Sequence, residues 1–269
     1  MFARSGRAQI AYETVGAPSA PGVLLIHAGV NDRRGWHHVI QRLTPSRRCV
    51  AFDMRGFGET VYEREDGWSA VGDALAVMDA AGLRCPVLVA ASIGGAAAID
   101  LALADPDRVA GLCLIDARVR GAPYPEPTDG PMAQLGAEID AAEAAGDLDE
   151  VSRLEAWMWL DGPGAPEGRV TGPARELFIE MNRRALAAAD PGEPAELPAA
   201  WPRLGEIAVP TLMLVGRLDA ERITAINPPA AELIPGARLR WLDGVAHVPH
   251  LEGDPAVLDE IAEFVDALS

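Results

Sequence analysis

Three residues far apart in the chain have the types and local settings that nucleophilic acyl chemistry requires: Ser92, Asp219 and His247. Ser92 lies in PVLVAASIGGAAAI (Pro86 to Ile99), where an apolar strand runs into Ser92-Ile93-Gly94-Gly95 and then into a helix of small residues. A serine on a sharp strand-to-helix turn has its hydroxyl exposed above the sheet edge, and such a turn needs small neighbours. Gly94 lets the helix begin without a side-chain clash. The positive end of that helix favours a developing oxyanion beside the serine. The plainer role for Ser92 is to cap the helix. Asp219 ends LMLVGRLD, a strand and turn, and His247 lies in GVAHVPHLE, just past the last strand. Catalytic groups of open α/β sheets gather at the carboxyl ends of strands. Ser, Asp and His in this order therefore read as nucleophile, orienting acid and general base.

The elements that must position these residues are strands alternating with helices. Gly22–Ala28, Arg48–Asp53, Pro86–Ala91, Ala110–Asp116 and Pro210–Gly216 are continuous apolar runs, as parallel strands covered on both faces are. Arg238–Asp243 alternates and is placed nearer an edge. Ser69–Gly82 and Pro255–Leu268 have helical apolar spacing, with Gly82 a C-cap. Strand and helix in repetition predict a doubly wound, mostly parallel α/β sheet. The rhythm breaks between 118 and 203. GAPYPEPTDGP opens this stretch, helical segments follow at Met132–Ala145, Leu148–Leu160 and Ala174–Ala189, and Asp190–Pro202 closes it. It reads as a helical insertion into a core made of residues 1–117 and 204–269. No repeat or low-complexity tract interrupts the chain.

Composition narrows the partners. With 40 acidic against 23 basic side chains, the net charge is −17 over 269 residues. That disfavours nucleic acid and anionic membrane surfaces, and no apolar run approaches the roughly 20 residues of a membrane span. The first residues, MFARSGRAQI, lack the apolar segment of a signal peptide. Cys49, Cys85 and Cys113 read as reduced, buried thiols, so a cytoplasmic protein is expected.

These segments together resemble the α/β-hydrolase superfamily, in the style of 3-oxoadipate enol-lactonases, esterases and related small bacterial hydrolases. The further matching pieces are His27-Ala28-Gly29, Asp53-Met54-Arg55-Gly56-Phe57-Gly58 and the turns at Gly216 and Gly244. The usual Gly-x-Ser-x-Gly elbow reads Ala90-Ala91-Ser92-Ile93-Gly94 here, and the usual His-Gly reads His27-Ala28-Gly29. The resemblance implies an eight-stranded sheet of that fold, a helical cap at 118–203, and an oxyanion hole from the backbone N–H groups of Gly29 and Ile93. Some members place the acid where Asp116 stands, but Gly-Arg-Leu-Asp is the more usual acid turn, which favours Asp219. His27 is expected to hold the oxyanion loop, and Asp53 and Arg55 to brace loops by pairing. His37 and His38 read as surface or packing residues. His247 and His250 lack a third metal-ligand partner, so neither metal nor cofactor is expected. Val30, Trp36, Trp157, Trp159, Phe178, Met181 and Val248 are candidates for a substrate pocket, although cap packing explains the cap residues equally. The reading is a serine hydrolase of an ester or lactone in a small, apolar substrate, acting as a monomer or homodimer. The same three side chains also suit a C–C bond hydrolase, thioesterase or cyclase, and the fold alone suits a small-molecule binding protein.

Overall fold

The computed structural model describes residues 1–125 and 129–268. The chain opens on two strands absent from the sequence reading, β1 (Phe2–Ser5) and β2 (Ala8–Val15), which pair antiparallel. β3 (Gly22–Ile26), β4 (Arg48–Phe52), β5 (Val61–Tyr62), β6 (Val87–Ala91), β7 (Gly111–Ile115), β8 (Thr211–Gly216) and β9 (Arg238–Leu242) follow. The sheet order is β1-β2-β4-β3-β6-β7-β8-β9, parallel from β4 to β9. Eight strands thus form the continuous path, but the sheet has nine, because β5 also pairs with β2. A two-residue strand carries no hydropathy signal of its own.

The helices are α1 (His37–Leu43), α2 (Ala70–Ala81), α3 (Ile93–Ala104), α4 (Gly130–Ala145), α5 (Leu148–Glu155), α6 (Pro173–Leu186), α7 (Glu221–Thr224), α8 (Asn227–Leu233), α9 (Pro249–Glu252) and α10 (Pro255–Asp266). Alternation along the strands explains why both sheet faces are apolar. Leu24, Ile26, Leu88, Leu112 and Leu114 pack with Val77 and Met78 of α2 and Ile99 and Leu101 of α3. Their neighbours Val23, Leu25, Val89, Cys113 and Ile115 pack with Leu43 of α1 and Ile261 and Val265 of α10. β6, β7 and β8 are buried throughout, whereas β9 at the sheet edge alternates, as its sequence predicts.

Ser69 caps α2 by accepting the Gly72 N–H, and Gly82 ends it in the left-handed conformation. Between β7 and β8 the described residues hold α4, α5 and α6 and no strand beyond the single bridge of Trp68 to Pro194. The helix expected over Leu148–Leu160 is α-helical only to Glu155, and Ala156–Asp161 form a π-helical turn. Part of the proline-rich stretch, residues 126–128, lies outside the described residues. Of the three cysteines, Cys49 and Cys113 are buried as expected, but Cys85 is exposed, since it stands in the turn ahead of β6. Among the described residues, no helix is long and apolar enough to cross a membrane.

Candidate active site

β6 delivers Ser92 into a turn with φ +53° and ψ −118°. Among the described residues, only Ser92 and Asp116 combine a side chain with positive φ. Such conformations cost about 1–3 kcal/mol each and persist only where the surroundings enforce them. Here the Ser92 N–H donates to the Ile115 carbonyl at 3.0 Å, and the Ser92 carbonyl accepts the Arg118 N–H at 2.9 Å. A Cβ on Gly94 would lie 2.4 Å from the Ile26 carbonyl oxygen, so α3 can start against the end of β3 only with glycine there. Ala90 and Ala28, the two departures from the glycine-rich pattern, are fully buried.

The loop after β3 meets this turn. A Cβ on Gly29 would lie 3.1 Å from Cδ1 of Ile93, so the Ile93 side chain packs on the loop at Gly29. Neither the Gly29 nor the Ile93 N–H donates to an acceptor among the described residues. His27 holds the loop: its Nε2 accepts the Met54 N–H at 3.0 Å, so the proton is on Nδ1, which donates to the Ala28 carbonyl at 2.7 Å. Burial pulls the His27 pKa down and keeps this ring neutral. Asp53 and Arg55 do brace loops, but not by pairing with each other. Asp53 accepts from Arg33 and the Glu59 N–H, while Arg55 binds Asp73 and Glu65.

His247 and Asp219 are brought together where the turns after β8 and β9 touch. A Cβ on Gly216 would lie 2.3 Å from the Ala246 carbonyl oxygen. His247 Nδ1 and Asp219 Oδ2 are 2.7 Å apart and buried, and Asp219 Oδ1 accepts the Ala220 N–H at 2.6 Å. The π-helical turn lies against the imidazole: the His247 N–H donates to the Trp159 carbonyl at 3.1 Å, and the ring centroids are 4.8 Å apart. Asp116 is not the carboxylate on the imidazole. Its Oδ1 accepts the Gly216 N–H at 2.9 Å, and its Oδ2 has no partner among the described residues. Burial, then the charge of Asp219, pushes the Asp116 carboxyl well above the ordinary carboxylate range. Ligand atoms of Asp116, Asp219 and His247 lie within 4.8 Å of one another. The Asp219 and His247 atoms nearest each other are already joined by a hydrogen bond, so the cluster suits a proton better than a cation. His250 is no part of it, being stacked on Trp36 at 4.1 Å. His37 and His38 pack against each other at the start of α1, their ring centroids 3.7 Å apart and their planes tilted by 42°.

Ser92, Ile93, Gly29 and His247 line one cavity of about 210 Å³. The Ser92 hydroxyl has no hydrogen bond among the described residues, and such contacts commonly tighten only when substrate is present. Of the expected pocket residues, Val30 and Trp159 line this cavity. Trp36, Phe178, Met181 and Val248 are instead buried in the apolar cluster that joins one sheet face, α1 and α10 to α6, and Trp157 packs within the inserted helices, its Nε1 donating to the Ala165 carbonyl at 2.8 Å. Large apolar side chains gain most where they are wholly removed from water, which draws them away from an open cavity. Arg118, Tyr124, Glu155, Arg222 and Ile223 complete the lining and were missed. Arg118 and Arg222 lie two and three residues beyond Asp116 and Asp219. Position just past a strand end could have found them.

A model of the alpha/beta hydrolase family matches residues 23–261. The chain belongs to that family. This alpha/beta hydrolase is 26% identical over 250 residues to a pimeloyl-[acyl-carrier protein] methyl ester esterase of Neisseria meningitidis serogroup B, covering 91% of this chain and 92% of the relative. Among solved structures it superposes on a thermophilic esterase from Thermogutta terrifontis with a TM-score of 0.76 at 24% identity, covering 100% of this chain and 98% of the other. The enol-lactonase of Burkholderia xenovorans LB400 gives a TM-score of 0.75 at 19% identity, with 99% and 100% covered. At these identities the structural likeness speaks for the fold alone.

Proposed function

We propose that this alpha/beta hydrolase cleaves the ester or lactone bond of a small substrate through an acyl-enzyme on Ser92, with His247 as general base and Asp219 as its orienting acid. The observation that carries the reading is the shared cavity. A serine in a strained turn stands there with two backbone N–H groups lacking acceptors and an imidazole hydrogen-bonded to a buried carboxylate. Because Asp219 accepts from Nδ1, Nε2 of His247 is left to take the Ser92 proton. Ser92 Oγ then attacks the carbonyl carbon, and the Gly29 and Ile93 N–H groups stabilise the oxyanion, each by about 3 kcal/mol. The tetrahedral intermediate collapses, and the leaving alkoxide takes its proton from His247. Water, deprotonated by His247, attacks the acyl carbon and releases Ser92. Residues 118–203 act as a cap over a core of 1–117 and 204–269, with Trp159 as its contact to the base. The esterase among the relatives supports ester chemistry.

A fluorophosphonate probe should label Ser92, and Ser92→Ala should abolish turnover of short-chain p-nitrophenyl esters. Labelling at another residue removes the nucleophile assignment. Wild type and Ser92→Ala equally inert across a broad ester panel would leave a binding protein on a hydrolase fold.

A further inference from the structure

We propose that the substrate of this site carries a carboxylate, held by Arg118 and Arg222, in addition to the bond that Ser92 attacks. The inference rests on the proposed role of Ser92 and names the substrate class it acts on. Both arginines line the cavity that holds Ser92 and His247. Among the described residues, neither guanidinium forms an ion pair. Arginines nearby are committed: Arg120 to Asp100, Arg34 to Asp32 and Glu180, Arg169 to Glu252, and Arg175 to Asp161. In a chain with 40 acidic and 23 basic side chains, carboxylate partners are abundant. Arg118 is exposed and Arg222 partly buried, and both border the cavity of the nucleophile with no carboxylate among the described residues paired to either.

The pair is also positioned. Arg118 follows β7 and Arg222 lies in α7, so each is registered to a strand end that also carries Asp116 or Asp219. Between them stands Tyr124, which accepts the Val119 N–H at 2.7 Å and has the Arg222 guanidinium 5.3 Å from its ring centroid. That stacking leaves the edge of the guanidinium, where the N–H groups are, free to meet a ligand. Glu155 lines the same cavity but forms no ion pair with either arginine among the described residues. Its carboxylate accepts from Asn182 Nδ2 at 2.6 Å, and burial raises its pKa, which favours the uncharged form. A planar carboxylate matches the donor geometry of guanidinium. Arg118 and Tyr124 also border a second cavity of about 430 Å³, walled by Ala96, Ala97, Val119 and Leu197, with room for an apolar portion of the same molecule. The proposed substrate has an apolar body and an acidic end, where the sequence reading expects a small apolar one.

A matched pair of activated esters tests this: mono-p-nitrophenyl glutarate, which carries a carboxylate, and p-nitrophenyl pentanoate, which does not. The readout is the ratio of their kcat/KM values. Charge-assisted hydrogen bonds predict a wild-type ratio above about fivefold in favour of the glutarate. Any smaller ratio overturns the proposal without a variant. In Arg118→Gln/Arg222→Gln the ratio should fall to about one, mainly through KM, and Arg→Lys at both positions should restore part of it. A double glutamine variant that keeps the preference overturns the assignment to these arginines. Free glutarate should inhibit pentanoate hydrolysis more strongly than inorganic phosphate, and the reverse order overturns the choice of a carboxylate. Turnover of either ester that survives in Ser92→Ala is instead a failure of the proposed nucleophile, and is read separately.

Discussion

Asp116 keeps Oδ2 buried without a partner among the described residues, while Oδ1 accepts the Gly216 N–H. Were it ionised, two carboxylates would share one buried site with a single imidazole, an arrangement that like-charge repulsion opposes. Burial, then the Asp219 charge, raises the Asp116 pKa, and a carboxyl oxygen of each aspartate lies within 4.8 Å of the other. Asparagine at 116 keeps an amide oxygen for the Gly216 N–H and places no charge beside Asp219. Asp116→Asn should therefore retain ester hydrolysis to within a few fold. Asp219→Asn, which removes the acceptor for the His247 Nδ1–H, should lower kcat by about 10³–10⁴-fold. Measuring both side by side decides the matter: an Asp116 variant as inert as the Asp219 variant would exchange their roles. The competition between these two aspartates was visible in the sequence, because both follow a strand. Their different hydrogen bonds were not, since they depend on Gly216 and His247, which are 100 and 28 residues away from them.

At the scale of elements, what the sequence revealed follows from how locally each signal is written. The five apolar runs, the alternating Arg238–Asp243 and the Ser92 turn are each contiguous and were placed to within a residue or two. β1 was missed because it is only four residues long, and β2 because it mixes Gln9, Glu13 and Thr14 among its apolar residues and so shows no continuous apolar run. The contact between the inserted helices and the His247 loop is carried mainly by one side chain with no motif. Arg169 binds the Leu160 carbonyl at 2.6 Å, the Asp161 carbonyl at 2.8 Å, the Gly244 carbonyl at 2.8 Å and the Glu252 carboxylate at 2.8 Å. It thus ties both ends of the loop around His247 to the turn that carries Trp159. Arg169→Leu leaves three carbonyls and a half-buried carboxylate without their donor, which should cost about 2–4 kcal/mol in urea unfolding. Because the imidazole is then less firmly held, kcat should fall about tenfold with a smaller change in KM. A variant that loses stability but keeps wild-type kcat would show that this tie supports the fold without positioning His247.

Across the whole molecule, two buried histidines contribute to the response to acid. His250 is fully buried against Trp36, neither ring nitrogen has a partner among the described residues, and burial, then the charge of His247, pushes its pKa down to about 3. His27 is lowered in the same direction by burial. In both cases the unfolded chain, titrating near 6.5, takes up protons before the folded one does. Their contribution to stability is therefore complete above about pH 6.5. It is lost on acidification at up to about 1.4 kcal/mol per pH unit for each histidine. For His250 that window runs down to about pH 3. Asp116 acts in the opposite sense: its raised pKa gives a contribution present at low pH and lost as pH rises. It therefore offsets part of the acid loss without reversing it. Phenylalanine at 250 keeps an aromatic ring on Trp36, forfeits no hydrogen bond to the described residues, and cannot take up a proton. The melting temperature of His250→Phe should thus fall less steeply than that of wild type between pH 7 and pH 5, with Asp116→Asn steepening the same branch. Parallel pH profiles for wild type and His250→Phe would mean that the ring is protonated at little cost in the folded state, and that the acid response arises elsewhere in the molecule.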